Sequence, residues 1–287
     1  MSIFIFSRTA SKRVTQGILL TRNYASSVSE AYLQHDASKP GVAVVFLNRP
    51  KAKNAISRTL LKEFHECIQS VKSDQRNRVL IVTGSQPGAF CAGADLAERR
   101  TMSTAEVNQF LIDLRKAIRN LEQLEIPTIA AIDGPALGGG LELALACDLR
   151  VAGKQASKIG LPETKLGIIP GAGGTQRLAR LLGVSKAKEL VLTGRALTPE
   201  QALDFGVVDY VTELGLNKAF ELAEEMSSGA PLALRAAKHA INRAPELDLE
   251  AGLDFEKACY QPLLSTKDRV EALSAFQEKR KPIFKGE

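Results

Sequence analysis

The spacing of apolar residues predicts strands and helices in alternation along most of the chain. Residues 41–47 (GVAVVFL) are a β-branched run closed by Asn48-Arg49-Pro50, which predicts a strand ending in a turn. From residues 54–57 the period becomes helical, with Leu60, Leu61, Phe64, Ile68 and Val71 on one stripe to about Lys72. Residues 79–83 predict a second strand, stopped by Gly84 and the turn-rich Ser85-Gln86-Pro87-Gly88. Ser103 with Glu106 is a capping-box pattern, in which each side chain accepts the other residue's free backbone N–H. The helix it opens carries Phe110, Leu114, Ile118 and Leu121 as its stripe. Pro127 precedes a strand over 128–132, then a Gly-rich turn feeds a helix over about 140–147 and a strand over 149–152. Thr198-Pro199-Glu200-Gln201 starts another helix, with Pro at its first position, and 207–211 predicts a short strand. From Leu216 onward the signals are helical. Ser265-Thr266-Lys267-Asp268 predicts a third capping box, opening a helix that runs through Lys279-Arg280-Lys281. Together these give an α/β layer architecture with a helical C-terminal portion. Periodicity does not separate a doubly wound sheet from a stacked spiral.

At 287 residues the chain has room for one large domain or two modest ones. Its 45% apolar and 24% charged residues exclude a disordered, collagen-like or disulfide-stapled chain. With 5% aromatic residues and no Trp, a stacking platform for single-stranded nucleic acid has little material. The formal charge of +6 is concentrated at one end. Arg8, Lys12, Arg13 and Arg22 lie in an acid-free, Ser/Thr-rich segment, and without them the charge is +2. Residues 1–24 therefore predict a mitochondrial presequence, with cleavage after Tyr24 at Arg22-Asn23-Tyr24-Ala25-Ser26 and the matrix as destination. The most apolar region, 129–152, is broken by Asp133, Glu142 and Asp148, so no membrane span is expected. Cys67, Cys91, Cys147 and Cys259 form no CxxC pair and suit a reducing compartment, and the three histidines are too dispersed to predict a metal site.

Common catalytic signatures are absent. Gly171-Ala172-Gly173-Gly174 looks dinucleotide-like, but Gln176 occupies the last glycine position and no strong strand leads into it. There is no phosphate-loop Lys-Ser/Thr and no GxSxG elbow, and Ser185-Lys186-Ala187-Lys188 matches SxxK by letters alone. Three other segments stand out. Gly138-Gly139-Gly140 opens an apolar helix in which Glu142 is the lone carboxylate. Three consecutive glycines cost helix stability and indicate close backbone approach, while free N–H groups at a helix start suit a developing oxyanion. Glu142 there is either spent on capping or available for chemistry. Upstream lies Phe90-Cys91-Ala92-Gly93-Ala94-Asp95-Leu96, and downstream Pro162-Glu163 precedes a second Gly-rich loop. Backbone donors combined with two isolated carboxylates would make an acid/base pair facing an oxyanion site.

The segments AGADL, ALGGGLELALACD and PETKLGIIPGAGGTQRL resemble the crotonase superfamily of enoyl-CoA hydratases and isomerases across nearly the whole mature chain. Lys257-Ala258-Cys259-Tyr260, Thr266-Lys267-Asp268-Arg269 and Lys285-Gly286-Glu287 are most similar to the mitochondrial branch acting on methylglutaconyl thioesters in leucine breakdown. The resemblance implies an α/β crotonase-like spiral of ββα repeats over 25–212, followed by a helical trimerisation region over 213–287, the trimers pairing into hexamers in some members. It implies that Ala94 and Gly139 supply the oxyanion-hole N–H groups, that Glu142 acts as base on water, and that Glu163 protonates the α-carbon. Ala92, Asp95, Leu96, Gly138 and either Lys51 or Lys53 would contact the CoA thioester. No cofactor is implied, coenzyme A being part of the substrate. Both glutamates being present favours hydration over isomerisation, with general short-chain enoyl-CoA hydration in fatty-acid oxidation as the alternative.

Two departures bear on that carry-over. Glu142 and Glu163 stand 21 positions apart, one more than usual, which places an extra residue in the 153–158 turn. Ala97 stands where related hydratases often have Lys. A carboxylate at the far end of the substrate would want a cation, and Arg99, Arg100 and Lys165 are the nearest in sequence. Because one member of the branch binds AU-rich RNA through a lysine-spaced helix, RNA is a second reading. Here the matching series is Arg58, Lys62 and then Glu66, with Lys72, Arg76 and Arg78 beyond it and Glu63 and Asp74 diluting the stripe.

Overall fold

Val42, Val44 and Phe46 pack on one face of their strand and Ala43, Val45 and Leu47 on the other, and all six are buried. A strand apolar on both faces belongs in the middle of a covered, largely parallel sheet, and the computed structural model, which describes residues 29–287, places it there. The presequence expected over 1–24 lies outside the described residues.

The elements run β1 Ala31–His35, β2 Val42–Leu47, α1 Arg58–Ser73, β3 Val79–Gly84, α2 Leu96–Arg99, α3 Thr104–Glu122, β4 Thr128–Ile132, β5 Ala136–Leu137 and α4 Gly139–Leu145. They continue with β6 Leu149–Gly153, β7 Ile159–Gly160, α5 Gly174–Leu182, α6 Val184–Thr193, β8 Ala196–Leu197, α7 Pro199–Phe205 and β9 Tyr210–Thr212. Four helices follow: α8 Gly215–Ser227, α9 Pro231–Arg243, α10 Leu249–Tyr260 and α11 Lys267–Gln277.

One sheet orders β1-β2-β3-β4-β6-β9, parallel except for β1, and a small one orders β5-β7-β8. Each chain turn gives one strand to the large sheet, a short extended piece to the small one, then a helix: β4–β5–α4 and β6–β7–α5 are two such units. In the earlier turns isolated parallel bridges, Ile56 to Ala94 and Cys91 to Ala136, replace the short strand. This is the ββα spiral.

The two faces of the large sheet are covered differently. Phe64, Ile68, Ile118 and Leu121 of α1 and α3 fill one face with Val45, Leu80 and Val82. Ala219, Phe220 and Ala223 of α8 cover Val44, Ile81 and Ile129 on the other. Each fully buried side chain of this size contributes about 1.5–3 kcal/mol. Sequence places the start of the C-terminal region at 213, yet α8, just beyond it, still belongs to the sheet's packing.

Ser57 caps α1, and the boxes at Ser103 and Thr198 form as expected. The third box does not. Thr266 caps α11 by accepting the Arg269 N–H, while Asp268 turns to accept the Lys285 and Gly286 N–H groups. The helix stops at Gln277, before Lys279 takes a φ of +54° and Arg280 folds back onto Glu271 and Glu278.

Candidate active site

The parallel bridge between Ile56 and Ala94 fixes the first donor. Ile56 donates to the Gly93 carbonyl (2.7 Å) and its own carbonyl accepts the Asp95 N–H (3.1 Å). A parallel ladder takes the groups on either side of the bridging residue, so the Ala94 N–H faces away from that partner. Among the described residues it meets no acceptor. The second free donor is the Gly139 N–H, at the first position of α4, where no residue of the same helix can accept it. The two are neighbours, for a Cβ built on Gly139 would lie 3.8 Å from the Ala94 nitrogen.

The glycines at this junction have separate reasons. Gly138 turns the chain with φ +52°, and a Cβ there would stand 3.0 Å from Glu163 Oε1. Gly140 lets α4 press against the neighbouring turn, since a Cβ there would come within 2.1 Å of the Cys91 carbonyl oxygen. Any side chain at either position would displace the donor pair or the carboxylate beside it.

Glu142 is buried in the first turn of α4, and its Oε1 accepts N–H groups from Ala172 (2.7 Å) and Gly174 (2.8 Å). Burial pushes its pKa up, and those two donors work in the opposite direction. Glu163 opens the short turn Glu163–Leu166, and its Oε2 is buried without a hydrogen-bond partner among the described residues. Burial, with the charge of Glu142 adding to it, pushes Glu163 up to about 7. The structure thus brings together Ala94, Gly139, Gly138, Glu142 and Glu163: two N–H donors for an oxygen, and two carboxyls raised by burial, Glu142 held by two backbone N–H groups and Glu163 with a free Oε2.

The remaining sequence candidates frame this centre. Lys51 and Lys53 are exposed, and the Lys53 carbonyl accepts the Ala92 N–H (3.0 Å), so both lysines edge the Ala94 loop. Leu96 is exposed beside it. Asp95 is committed to holding the loop: Oδ1 caps α2 through the Ala97 and Glu98 N–H groups, and Oδ2 pairs with Arg49 at 3.0 Å. Arg100 and Lys165 are exposed, whereas Arg99 stacks over Phe110 at 5.2 Å with its Nε buried and unpartnered. Among the cations of the RNA reading, Arg58 pairs with Glu106 (3.0 Å), Lys62 lies near Glu66 (4.0 Å), Arg76 pairs with Asp74 (2.8 Å), and Arg78 donates to the Ser227 and Phe284 carbonyls.

Sequence reasoning overlooked the residues that hold the machinery. The Gly171–Gly174 stretch, expected only as a loop of backbone donors, gives its Ala172 and Gly174 N–H groups to Glu142 itself and is held by two arginines. Arg115 Nε donates to the Gly171 carbonyl (2.5 Å), and Arg177 spans the Ala172 carbonyl (2.9 Å) and both oxygens of Glu122. Asn54, fully buried at φ +53°, donates to the Ala89 and Phe90 carbonyls and so ties down the Ala94 loop. A positive φ at a buried Asn is a local signal, but partners about 35 positions away are not legible before the fold is known.

Among the described residues no group of three or more His, Cys, Asp or Glu could hold a metal ion, and no helix is long and apolar enough to cross a membrane. All four cysteines are free, and burial pushes Cys91 and Cys147 up to about 12, far from the reactive thiolate range.

The chain belongs to the enoyl-CoA hydratase/isomerase family, whose model matches residues 37–287. It is 56% identical to the enoyl-CoA isomerase/hydratase fer4 of Mycosarcoma maydis, over 89% of this chain and 97% of that protein. It is 48% identical to the mitochondrial methylglutaconyl-CoA hydratase of Mus musculus, over 95% of this chain and 90% of that protein. Among solved structures, an enoyl-CoA hydratase from Bacillus anthracis superposes with a TM-score of 0.87 at 45% identity, covering 90% of this chain and all of that one. The protein is a hydratase-type lyase of this family.

Proposed function

We propose that the protein adds water across the 2,3 double bond of 3-methylglutaconyl-CoA, giving 3-hydroxy-3-methylglutaryl-CoA, a step of leucine catabolism. The observation that carries the reaction type is the pairing of two buried glutamates with the free Ala94 and Gly139 N–H groups. The thioester oxygen lies between those donors, which draw charge onto it as the β-carbon is attacked. Glu142, held by the Ala172 and Gly174 N–H groups, takes a proton from water while the water oxygen bonds to C3. The double-bond electrons pass to the thioester oxygen as an enolate, and Glu163 gives its proton to C2. No redox step occurs, so no cofactor is needed beyond the coenzyme A of the substrate. Lys51 and Lys53 at the rim of the Ala94 loop are placed to meet its phosphates, with Ala92, Leu96 and Gly138 shaping the thioester's path and Asp95 holding the loop.

Mitochondrial matrix localisation belongs to the same reading, supported by the acid-free basic residues 1–24 and by the mitochondrial relatives. So does trimeric or hexameric assembly. Helices α9 to α11 expose Ile241, Leu249, Tyr260, Val270 and Phe276, an apolar surface that subunit contact would cover.

Steady-state hydration of 3-methylglutaconyl-CoA beside crotonyl-CoA tests the proposal, with wild type and Glu142→Gln. Preference for the first substrate, abolished by the substitution, supports substrate and mechanism together. Preference for crotonyl-CoA reduces the protein to a general short-chain hydratase.

A further inference from the structure

Several arginines around the active loops are answered by an acid. Arg49 pairs with Asp95 and Glu30, Arg58 with Glu106, and Arg177 with Glu122. Arg99 is not. Among the described residues it forms no ion pair, its Nε is buried and unpartnered, and its guanidinium lies over the Phe110 ring at 5.2 Å. The nearest acid in sequence, Glu98, is turned away to accept the Arg58 backbone N–H (3.0 Å). Consistent with this isolation, burial lowers the pKa of Arg99 with no carboxylate to offset it. A half-buried guanidinium offset by an aromatic face but by no carboxylate keeps its planar fork available, and that fork is shaped to receive a carboxylate through two N–H bonds.

Its place in the fold says where that carboxylate would come from. The Arg99 N–H donates to the Asp95 carbonyl (2.8 Å), so Arg99 stands one helical turn beyond the residue that follows the Ala94 donor. Its ring partner Phe110 lies on α3, and α3 also holds the Glu142 loop. Leu111 packs where a Cβ on Gly171 would approach it to 2.9 Å, and Arg115 donates to the Gly171 carbonyl. Arg99 therefore sits where α2 and α3 meet, on the wall joining the oxyanion donors to the loop that grips Glu142. In a five-carbon enoyl thioester the terminal carboxylate lies only roughly 5 Å from the thioester carbon when extended, so the cation that receives it must belong to an element beside those donors, as α2 is.

We propose that Arg99 is the specificity-determining residue that receives the terminal carboxylate of a dicarboxylic enoyl-CoA substrate. This rests on the reading of Ala94 and Gly139 as the thioester site and deepens the substrate assignment made above. Arg100 and Lys165 do not share the role: both are exposed, and the Lys165 stem packs against Gly194, where a Cβ would meet its Cγ at 3.1 Å.

The test uses the full chain as wild type, Arg99→Met and Arg99→Lys. Hydration of both thioesters is measured, together with inhibition of crotonyl-CoA hydration by glutaryl-CoA and butyryl-CoA, which share a carbonyl and differ in the terminal carboxylate. In wild type, glutaryl-CoA inhibits about tenfold or more better than butyryl-CoA. Arg99→Met removes that ratio and lowers the preference for 3-methylglutaconyl-CoA over crotonyl-CoA by a similar factor, mostly through KM, while Arg99→Lys retains part of both. A ratio that survives in Arg99→Met and Arg99→Lys overturns the residue assignment alone, as do equal losses on the two substrates. Absence of any glutaryl preference in wild type overturns the substrate reading, and this proposal with it.

Discussion

Glu142 and Glu163 are the same residue type, both buried within one site and both raised by burial, but they differ in the donors around them. Around Glu142 the chain supplies charge compensation: two backbone N–H groups reach Oε1 from a loop that Arg115 and Arg177 hold in place. Around Glu163 it supplies none to Oε2, and the carboxyl rises to about 7. Hydrogen bonds to the charged form preserve a base, and desolvation without them preserves an acid. With its carboxyl raised to about 7, Glu163 carries a proton at mildly acidic pH before any substrate arrives.

Removing either carboxyl is the harshest way to break the pair. Glu142→Gln and Glu163→Gln each lower kcat for crotonyl-CoA hydration by roughly 10²–10⁴-fold, the range of a positioned acid or base, with circular dichroism unchanged. Next comes the partner that both glutamates serve. Gly139→Pro sits at the first position of α4, where proline is tolerated, and deletes one donor. It costs at least roughly 10²–10³ in kcat/KM, since the proline Cδ also stands where the N–H pointed; kcat/KM within about threefold of wild type would show that the N–H does not face the developing charge.

The acid assignment is sharpened by pH. Glu163 at about 7 carries a proton that an ordinary glutamate near 4.5 has lost, so kcat/KM for hydration declines as pH rises through about 7. Stability follows the same sign. The native state binds the extra proton between those values, and the stability this brings is lost as pH rises through about 7. Glu163→Gln escapes that loss, so its stability relative to wild type improves from pH 5 to pH 8 by up to about 3 kcal/mol, readable in urea melts at both pH values. A difference independent of pH would mean the carboxyl is already ionised at pH 5. The smallest effect belongs to the support of Glu142. Arg177→Lys keeps the charge but gives up the fork shared by Glu122 and the Ala172 carbonyl, and should lower kcat about three- to tenfold.

How much of this the sequence shows depends on the range of the interaction. The large-sheet strands and helices α1 and α3 are legible because a stripe such as Leu60, Phe64, Ile68 and Val71 is written locally. The strand β1 went unseen, since Ala31-Tyr32-Leu33-Gln34-His35 has no β-branched residue. The two-residue strands β5, β7 and β8 are too short for any period. The carboxylates and donors are legible as motifs, with the family resemblance assigning their roles. Their unequal surroundings are not, because the Ala172 and Gly174 donors lie about 30 positions from Glu142 and meet it only through folding. The misplaced cap at Ser265 has the same origin: Asp268 fits a capping box locally, but the distant Lys285 and Gly286 N–H groups claim it.

That claim on Asp268 also matters at the bench. Its two oxygens and its own N–H, which donates to the Glu287 carbonyl, bind residues 285–287 to the start of α11. Bulk attached at residues 285–287 would pull on backbone already in use, whereas a label carried on an exposed side chain elsewhere would leave that segment seated.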